Sequence, residues 1–313
     1  MLGKTAGALF WMFRYMERCE NTARLVEAGF YIALTRSQSA DDEWASIIQS
    51  SGNAKQYDAL HEHYNGPEVI NFLLREKSNP SSVLSMIELA RSNARMARTA
   101  LTREVWEAVN EAWLDICASL KADITPKTLP GIIGLIRRRS ALVQGALHGT
   151  MLRNDIYDFA RLGTYTERAE STARILDVKY YVLLPSVSVV GGPMDNVQWE
   201  TILRCVSAER SYRWVTKGAV TPRGIADFLI LDRTMPRSLA TCEWETAQHL
   251  FHLSNVYGSN LPSQKMAADI LGELSSQSID AVFDYGLHEF IGEFLVKNQM
   301  LAAQIEADYR FTN

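Results

Sequence analysis

Residues 15–27 read YMERCENTARLVE and residues 165–177 read YTERAESTARILD. At an offset of 150 they share Tyr15/Tyr165, Glu17/Glu167, Arg18/Arg168, Glu20/Glu170, Thr22/Thr172, Ala23/Ala173 and Arg24/Arg174, seven identities in thirteen positions. In a chain of 313 residues the recurrence separates two halves of similar length, about 1–150 and 151–313. It predicts one domain over residues 1–313, built from a repeated helical unit in which each copy covers the other's apolar face.

On a helix, Glu17, Glu20, Arg24 and Glu27 fall within about 80° of one another and form one stripe. Trp11, Met12, Met16, Leu25 and Val26 occupy the remaining circumference, and Leu9 continues the stripe's own line toward the N-terminus. A helix apolar on its other sides belongs at the centre of a bundle, so the stripe is expected to be buried. Buried charges must be paired, because desolvation is costly for each ion. One arginine cannot neutralise three carboxylates. The segment IELARSNARMAR supplies Glu88, Arg91, Arg95 and Arg98 at an offset of 71, and the two stripes carry formal charges of −2 and +2. They are expected to face each other, with Glu20 opposite Arg91 and Glu27 opposite Arg98. The second copy offers Glu167, Glu170, Arg174 and Asp177, for which Arg204, Arg210 and Arg213, beside Glu200 and Glu209, are the expected compensators. Two readings stay open. The charges form an interhelical network that fixes register, or they line a cleft that receives a peptide amine and carboxylate, or a phosphate, through bidentate guanidinium contacts.

Beyond the repeat, a 3.6-residue periodicity dominates and the first 66 residues contain no proline. Helices are predicted at about 5–36, 39–49, 55–61, 67–76, 80–96, 101–120, 128–145, 154–184, 195–215, 222–231, 238–256 and, with breaks, 262–310. Asn79-Pro80-Ser81, Thr125-Pro126, Pro185, Gly191-Gly192-Pro193, Thr221-Pro222, Met235-Pro236 and Leu261-Pro262 punctuate them. Strand character is confined to Val187–Val190. The fold class is therefore all-α: a duplicated helical bundle with long central helices and buried Glu/Arg stripes. With 47% hydrophobic and 22% charged residues the chain is not a disordered or low-complexity protein. A net charge of −4 disfavours nucleic acid and anionic lipid as partners, and Arg137, Arg138 and Arg139 read as a solvated helix face. Cys19, Cys117, Cys205 and Cys242 show no CxxC spacing, as expected of reduced thiols in a cytoplasmic protein. No apolar run is long enough for a membrane span, and neither a span nor a signal peptide is expected.

Four stretches carry a specific likeness: MLGKTAGALFWMFRYMERCENTARL at 1–25, NPSSVLSMIELARSNARMARTALTREVWEAVN at 79–110, ERAESTARILDVKYY at 167–181 and LILDRTMPRSLATC at 229–242. Together they resemble the bacterial alpha-E domain family, formerly a domain of unknown function, over essentially the whole chain. The resemblance implies an all-helical protein commonly encoded beside a circularly permuted ATP-grasp-type ligase and a transglutaminase-like peptidase, as an accessory to a system that makes or removes peptide or amide bonds. Trp11, Arg14, Tyr15, Glu17, Arg18, Glu20, Asn21, Thr22 and Arg24 match the family pattern, which adds Arg14 and Asn21 to the candidate set. Lys4 and Gly7 depart from a frequent Arg and Asn, Tyr157 from a frequent Trp, Glu170 from a frequent Asp, and Thr164 stands where the family often has a basic residue.

The common dinucleotide, P-loop and serine-hydrolase motifs are missing. His61 and His63, two residues apart, read as turn residues. His249 and His252 share a helix face with Glu245 one turn earlier, and are read as packed or half-exposed histidines with a divalent-metal site as the alternative. His148 and His288 have no partner legible in the sequence. Trp106 and Trp113 read as core, and Trp44 as an exposed aromatic. Arginines beside every E-x-x-E pair argue for ionised carboxylates and against glycosidase-like acid–base work. The expectation is a non-catalytic accessory or scaffold protein that binds the ligase, the peptidase or their peptide product and uses no cofactor. The alternatives are an enzyme of peptide or amide chemistry using the Glu17/Glu20/Arg24 region, and a small-ligand or metal-binding protein. Glu209 and Arg213 complete the candidate residues.

Overall fold

A computed structural model describes residues 1–35, 40–183, 193–216 and 220–311. In chain order the helices are α1 (Gly3–Thr35), α2 (Ala40–Ser51), α3 (Ala54–Asp58), α4 (Gly66–Leu74), α5 (Val83–Met96), α6 (Arg103–Ser119), α7 (Leu129–Thr150), α8 (Asp155–Leu183), α9 (Pro193–Cys205), α10 (Glu209–Thr216), α11 (Pro222–Ile230), α12 (Leu239–Tyr257), α13 (Pro262–Ser276), α14 (Ile279–Tyr285) and α15 (Leu287–Asp308). No strand occurs among the described residues, and Val187–Val190 lie outside them. The fold is all-α, with long helices and a buried Glu/Arg network at its centre.

Local chemistry sets many of the boundaries. Asn65, Ser82, Thr221 and Ser238 each accept, through a side-chain oxygen, the backbone N–H three residues on, which satisfies a donor the first helical turn leaves free. The expected single helix at 195–215 is instead two, α9 and α10. Ser207 between them adopts a left-handed conformation with φ 58°, which a continuous right-handed helix cannot accommodate.

The long helices α1 and α8 run side by side in the same direction: Met1 meets Asp155, Arg14 meets Glu167 and Arg18 meets Glu170. Phe10, Phe13, Met16 and Cys19 of α1, and Phe159, Leu162, Ala169 and Ala173 of α8, are buried. Gly163 lets the two backbones touch, since a Cβ there would lie 2.1 Å from the Phe10 carbonyl oxygen. On the flanks, α5 packs against α1 and α12 against α8, inserting Val83, Met86, Ile87, Ala90 and Ala94 on one side and Leu239, Cys242, Leu250 and Leu253 on the other.

The two flanking helices are approached by matching turns. At an offset of 156, Phe72, Leu73, Pro80 and Ser82 correspond to Phe228, Leu229, Pro236 and Ser238. The Glu76 carboxylate accepts from the Ser78 backbone and hydroxyl, and the Asp232 carboxylate accepts from the Thr234 backbone and hydroxyl. This correspondence places Ser81 at the entrance to α5 where Arg237 stands at the entrance to α12.

Several side chains sit differently from expectation. Trp44 is 4% exposed, not a surface aromatic; Gly29 and Gly66 leave the room its indole fills, because a Cβ at either would reach the ring within 3.0 Å. Trp106 and Trp113 are half-buried, lidded by the guanidinium groups of Arg98 and Arg91 at 4.5 and 3.9 Å from the ring centroids. Arg137 and Arg139 are not free on a solvated face. They pair with Glu27, and with Glu111 and Asp115, respectively.

Candidate functional site

The charged stripe of α1 is neutralised by α8 rather than by α5. The Arg168 guanidinium donates through Nε and Nη2 to the two oxygens of Glu17, both at 2.9 Å. Reciprocally, Arg18 donates to Glu167 at 2.5 and 2.6 Å. Each bond pair is a two-pronged guanidinium–carboxylate contact, the strong form of ion pair. The two Glu-Arg dipeptides, 17–18 and 167–168, therefore exchange partners across the helix interface.

The next turn repeats the exchange within each helix. Arg24 donates to Glu20 at 2.9 and 2.6 Å, and Arg174 to Glu170 at 3.2 and 2.8 Å. The same arginines also bind the end of a neighbouring helix: Arg24 bonds the Cys205 carbonyl at the end of α9, and Arg174 the Ser50 carbonyl at the end of α2. Both carbonyls lie at helix C-termini, where the backbone dipole favours a cation. Gly52, beyond α2, has φ +75°, and a Cβ there would come 2.8 Å from Arg174.

A third arginine completes each side, and here the sides differ. Arg14 of α1 donates to Glu167 at 2.9 Å and Glu170 at 3.0 Å. Its counterpart at the offset of 150 is Thr164, buried and bonded to the Ala160 carbonyl. Arg237, from the turn before α12, takes over: it donates to Glu17 at 3.0 Å, Asn21 at 3.1 Å and Glu20 at 2.7 Å. Ser81, the counterpart of Arg237, is too short to reach the glutamates, and a cavity of about 240 Å³ opens beside it. Arg18, Asn21, Asn53 and Arg174 are among its walls, together with Glu167 and Glu170, the partners of the two arginines. Asn21 is 5% exposed and its amide nitrogen has no hydrogen-bond acceptor, while Arg18 and Arg174 keep about a quarter of their side chains accessible.

Six arginines (14, 18, 24, 168, 174 and 237) thus bind four glutamates (17, 20, 167 and 170) in this hydrogen-bonded network. Burial drives the carboxyl pKa of Glu17 upward, but Arg168 and Arg237 outweigh it and bring it down to about 2. Arg174 and Arg14 do the same for Glu170, again to about 2. Burial likewise works against the guanidinium charge of Arg18 and Arg168, but Glu167 and Glu17 hold both above the usual arginine range. Glu17 and Glu170 are therefore fixed anions, unsuited to donating protons near neutrality. Burial pushes the thiols of Cys205 and Cys242 up to about 12, which keeps both from acting as thiolates.

The remaining predicted residues lie elsewhere. Glu88, Arg95 and Arg98 are exposed and Arg91 is half-buried, hydrogen-bonded to Asn110 at 2.9 Å. They do not face the α1 stripe because α5 turns its apolar side to α1. Arg204 pairs with Glu200 and Glu209, and Arg213 with Glu209, in a partly exposed group that does not reach Glu167 or Glu170; Arg210 is exposed. Glu27 binds Arg137 at 2.9 Å, and Asp177 lies 2.6 Å from His288. His61 stacks on Tyr57 while His63 is exposed. His249 is buried against Asp158, with its Nδ1 2.7 Å from the carboxylate, and His252 approaches the same oxygen at 3.5 Å. Glu245 lies 3.8 Å from the other ring nitrogen of His249. Arg18 and Arg168 were visible as repeat identities but fall off the stripe chosen by helical angle. Arg237 lies in another segment, and Asp158, though on α8, stands about two turns before the repeated motif; no periodic signal ties either to the stripe.

An all-α fold centred on a buried, reciprocal arginine–glutamate exchange defines the class of protein. The chain belongs to the Alpha-E family, described as "a predicted alpha-helical domain with a conserved ER motif", whose model matches residues 1–309. No curated protein and no solved structure matches the chain. No helix among the described residues is long and apolar enough to cross a membrane.

Proposed function

We propose that the chain is a non-catalytic accessory protein of a peptide- or amide-ligase system, and that it holds a carboxylate-bearing peptide product in the cavity beside Ser81. The resemblance to alpha-E proteins supplies the system, with an ATP-grasp-type ligase and a transglutaminase-like peptidase as partners. The observation that carries the reading is the unequal third arginine. Where Arg237 fills one side of the network, the other side leaves a cavity walled by two partly accessible guanidinium groups and an amide donor with no acceptor. Arg18 and Arg174 already give Nε and Nη2 to Glu167 and Glu170, so a peptide carboxylate would take the donors left over, the second terminal nitrogen of Arg18 and the Asn21 amide. An enzymatic role for Glu17 or Glu170 is less well supported, because both carboxyls are held ionised by arginine.

N-acetylated dipeptides with a free C-terminal carboxylate, and their C-terminal amides, provide the probes. NMR titration of the full chain should show the acids binding at least about tenfold more tightly than the amides, as expected when a charge-assisted contact is lost. Ser81→Arg should fill the cavity and abolish acid binding without loss of thermal stability. Equal binding of acid and amide, or full acid binding by the variant, would refute the reading.

A further inference from the structure

Asp158 on α8 and His249 and His252 on α12 bring three metal-ligating side chains together, their ligand atoms all within 4.8 Å of one another. We infer that they form a divalent transition-metal site independent of the arginine–glutamate network, with Glu245 as the outer carboxylate that orients His249.

The sequence alone suggests Glu245, His249 and His252 as ligands, but the geometry replaces the first. Asp158 Oδ1 faces Nδ1 of both histidines, at 2.7 Å from His249 and 3.5 Å from His252. Glu245 approaches His249 on the opposite nitrogen, Nε2, at 3.8 Å. A single metal bound by Nδ1 of His249 leaves Nε2–H beside that carboxylate, which would accept it after closing by roughly half an ångström from 3.8 Å. This is the usual arrangement of a metal-bound imidazole, whose second N–H is held by an acceptor. With bonds of roughly 2.0–2.2 Å, tetrahedral ligands stand about 3.3 Å apart, so admitting a metal requires the Asp158–His249 contact to open by about half an ångström while the His252 contact already fits. Two imidazoles and one carboxylate suit Zn²⁺ and its neighbours rather than Mg²⁺ or Ca²⁺, which favour all-oxygen sets.

The surroundings fix the ligands and leave a way in. His249 is 7% exposed, stacked on the Tyr165 ring at 6.0 Å and met edge-on by Tyr157 at 5.9 Å. Asp158 is 4% exposed. The nearby Arg161 directs its guanidinium to Gln144 and the Tyr165 hydroxyl. His252 has 55% of its side chain accessible, so the third ligand stands at the mouth and a fourth position opens to solvent. Three protein ligands with an open position is a pattern that exchanges water or a ligand group.

The full-length chain, stripped with a chelator, can be titrated with ZnCl₂ by calorimetry and with CoCl₂ by visible absorption. One equivalent should bind, with a cobalt spectrum of low-symmetry, four-coordinate type. His252→Ala, at an accessible position, should weaken binding at least about 100-fold, and Glu245→Gln about tenfold, the range seen for outer-shell partners. Asp158→Asn should abolish the cobalt spectrum; if that variant does not fold, His252→Ala carries the test. His63→Ala serves as the control for surface histidines and should change nothing. Absence of saturable binding, or wild-type binding by His252→Ala, or loss of binding in His63→Ala, would overturn the assignment. The site needs none of the cavity residues, so its failure would leave the peptide-carboxylate reading standing, and the reverse.

Discussion

Glu243 is fully buried on α12, and neither of its carboxylate oxygens has a hydrogen-bond partner. Burial alone raises its pKa to about 8, so this side chain is a neutral acid across most of the physiological range. Because the folded pKa lies above the unfolded one, deprotonation favours the unfolded chain. The penalty begins as pH rises through the unfolded value near 4.5 and is complete above about 8. Glu243→Met should therefore stabilise the protein increasingly from pH 5 to pH 8, by on the order of 3 kcal/mol at the upper end. Melting curves at the two pH values check this; parallel curves for variant and wild type would contradict it. Glu17 and Glu170 act with the opposite sign. Their pKa values, lowered to about 2, contribute stability above pH 4.5 that is lost as pH falls toward 2.

At the scale of helices, the close passage of α1 and α8 depends on Gly163, where a Cβ would collide with the Phe10 backbone. Gly163→Ala should cost about 3 kcal/mol by forcing the two helices apart, despite the better helix propensity of alanine; chemical denaturation measures it, and a neutral or stabilising effect would contradict the described packing. Most helices were legible in the sequence, because apolar periodicity, prolines and Ser/Thr/Asn caps act locally. The pairing of charged helices was not. The +2 stripe of α5 was a sound electrostatic partner for the −2 stripe of α1, yet α5 buries Val83, Met86, Ile87, Ala90 and Ala94 and turns Glu88 and Arg95 outward. Burial of apolar area, worth roughly 25 cal/mol per Å², decided which face turned inward, and the charges then found partners in α8. Ser207, whose left-handed backbone splits α9 from α10, carries no glycine signal that would have betrayed the break. Trp44 is buried only because two glycines distant in sequence make room for it.

Taken whole, the molecule is held around a core of ions in which each long helix supplies arginine to the other's glutamate, and the repeat in the sequence is read as the reason the exchange is reciprocal. The two sides differ in one respect, Arg14 with Ser81 against Thr164 with Arg237, and the cavity lies on the side where Ser81 stands. The exchange itself is the feature on which both the architecture and the proposed binding role rest. Its most direct test is a double-mutant cycle on Glu17 and Arg168, with Glu17→Gln, Arg168→Met and the pair measured by denaturation, and Glu20 with Arg91 as the reference cycle. Each single change at Glu17 or Arg168 strands a buried ion and should cost about 3 to 5 kcal/mol. The double variant should lose markedly less than the combined single losses, with a coupling above about 1.5 kcal/mol, whereas Glu20 and Arg91 should be additive within about 0.5 kcal/mol. Additivity at Glu17 and Arg168, or strong coupling between Glu20 and Arg91, would contradict the reciprocal pairing of α1 with α8.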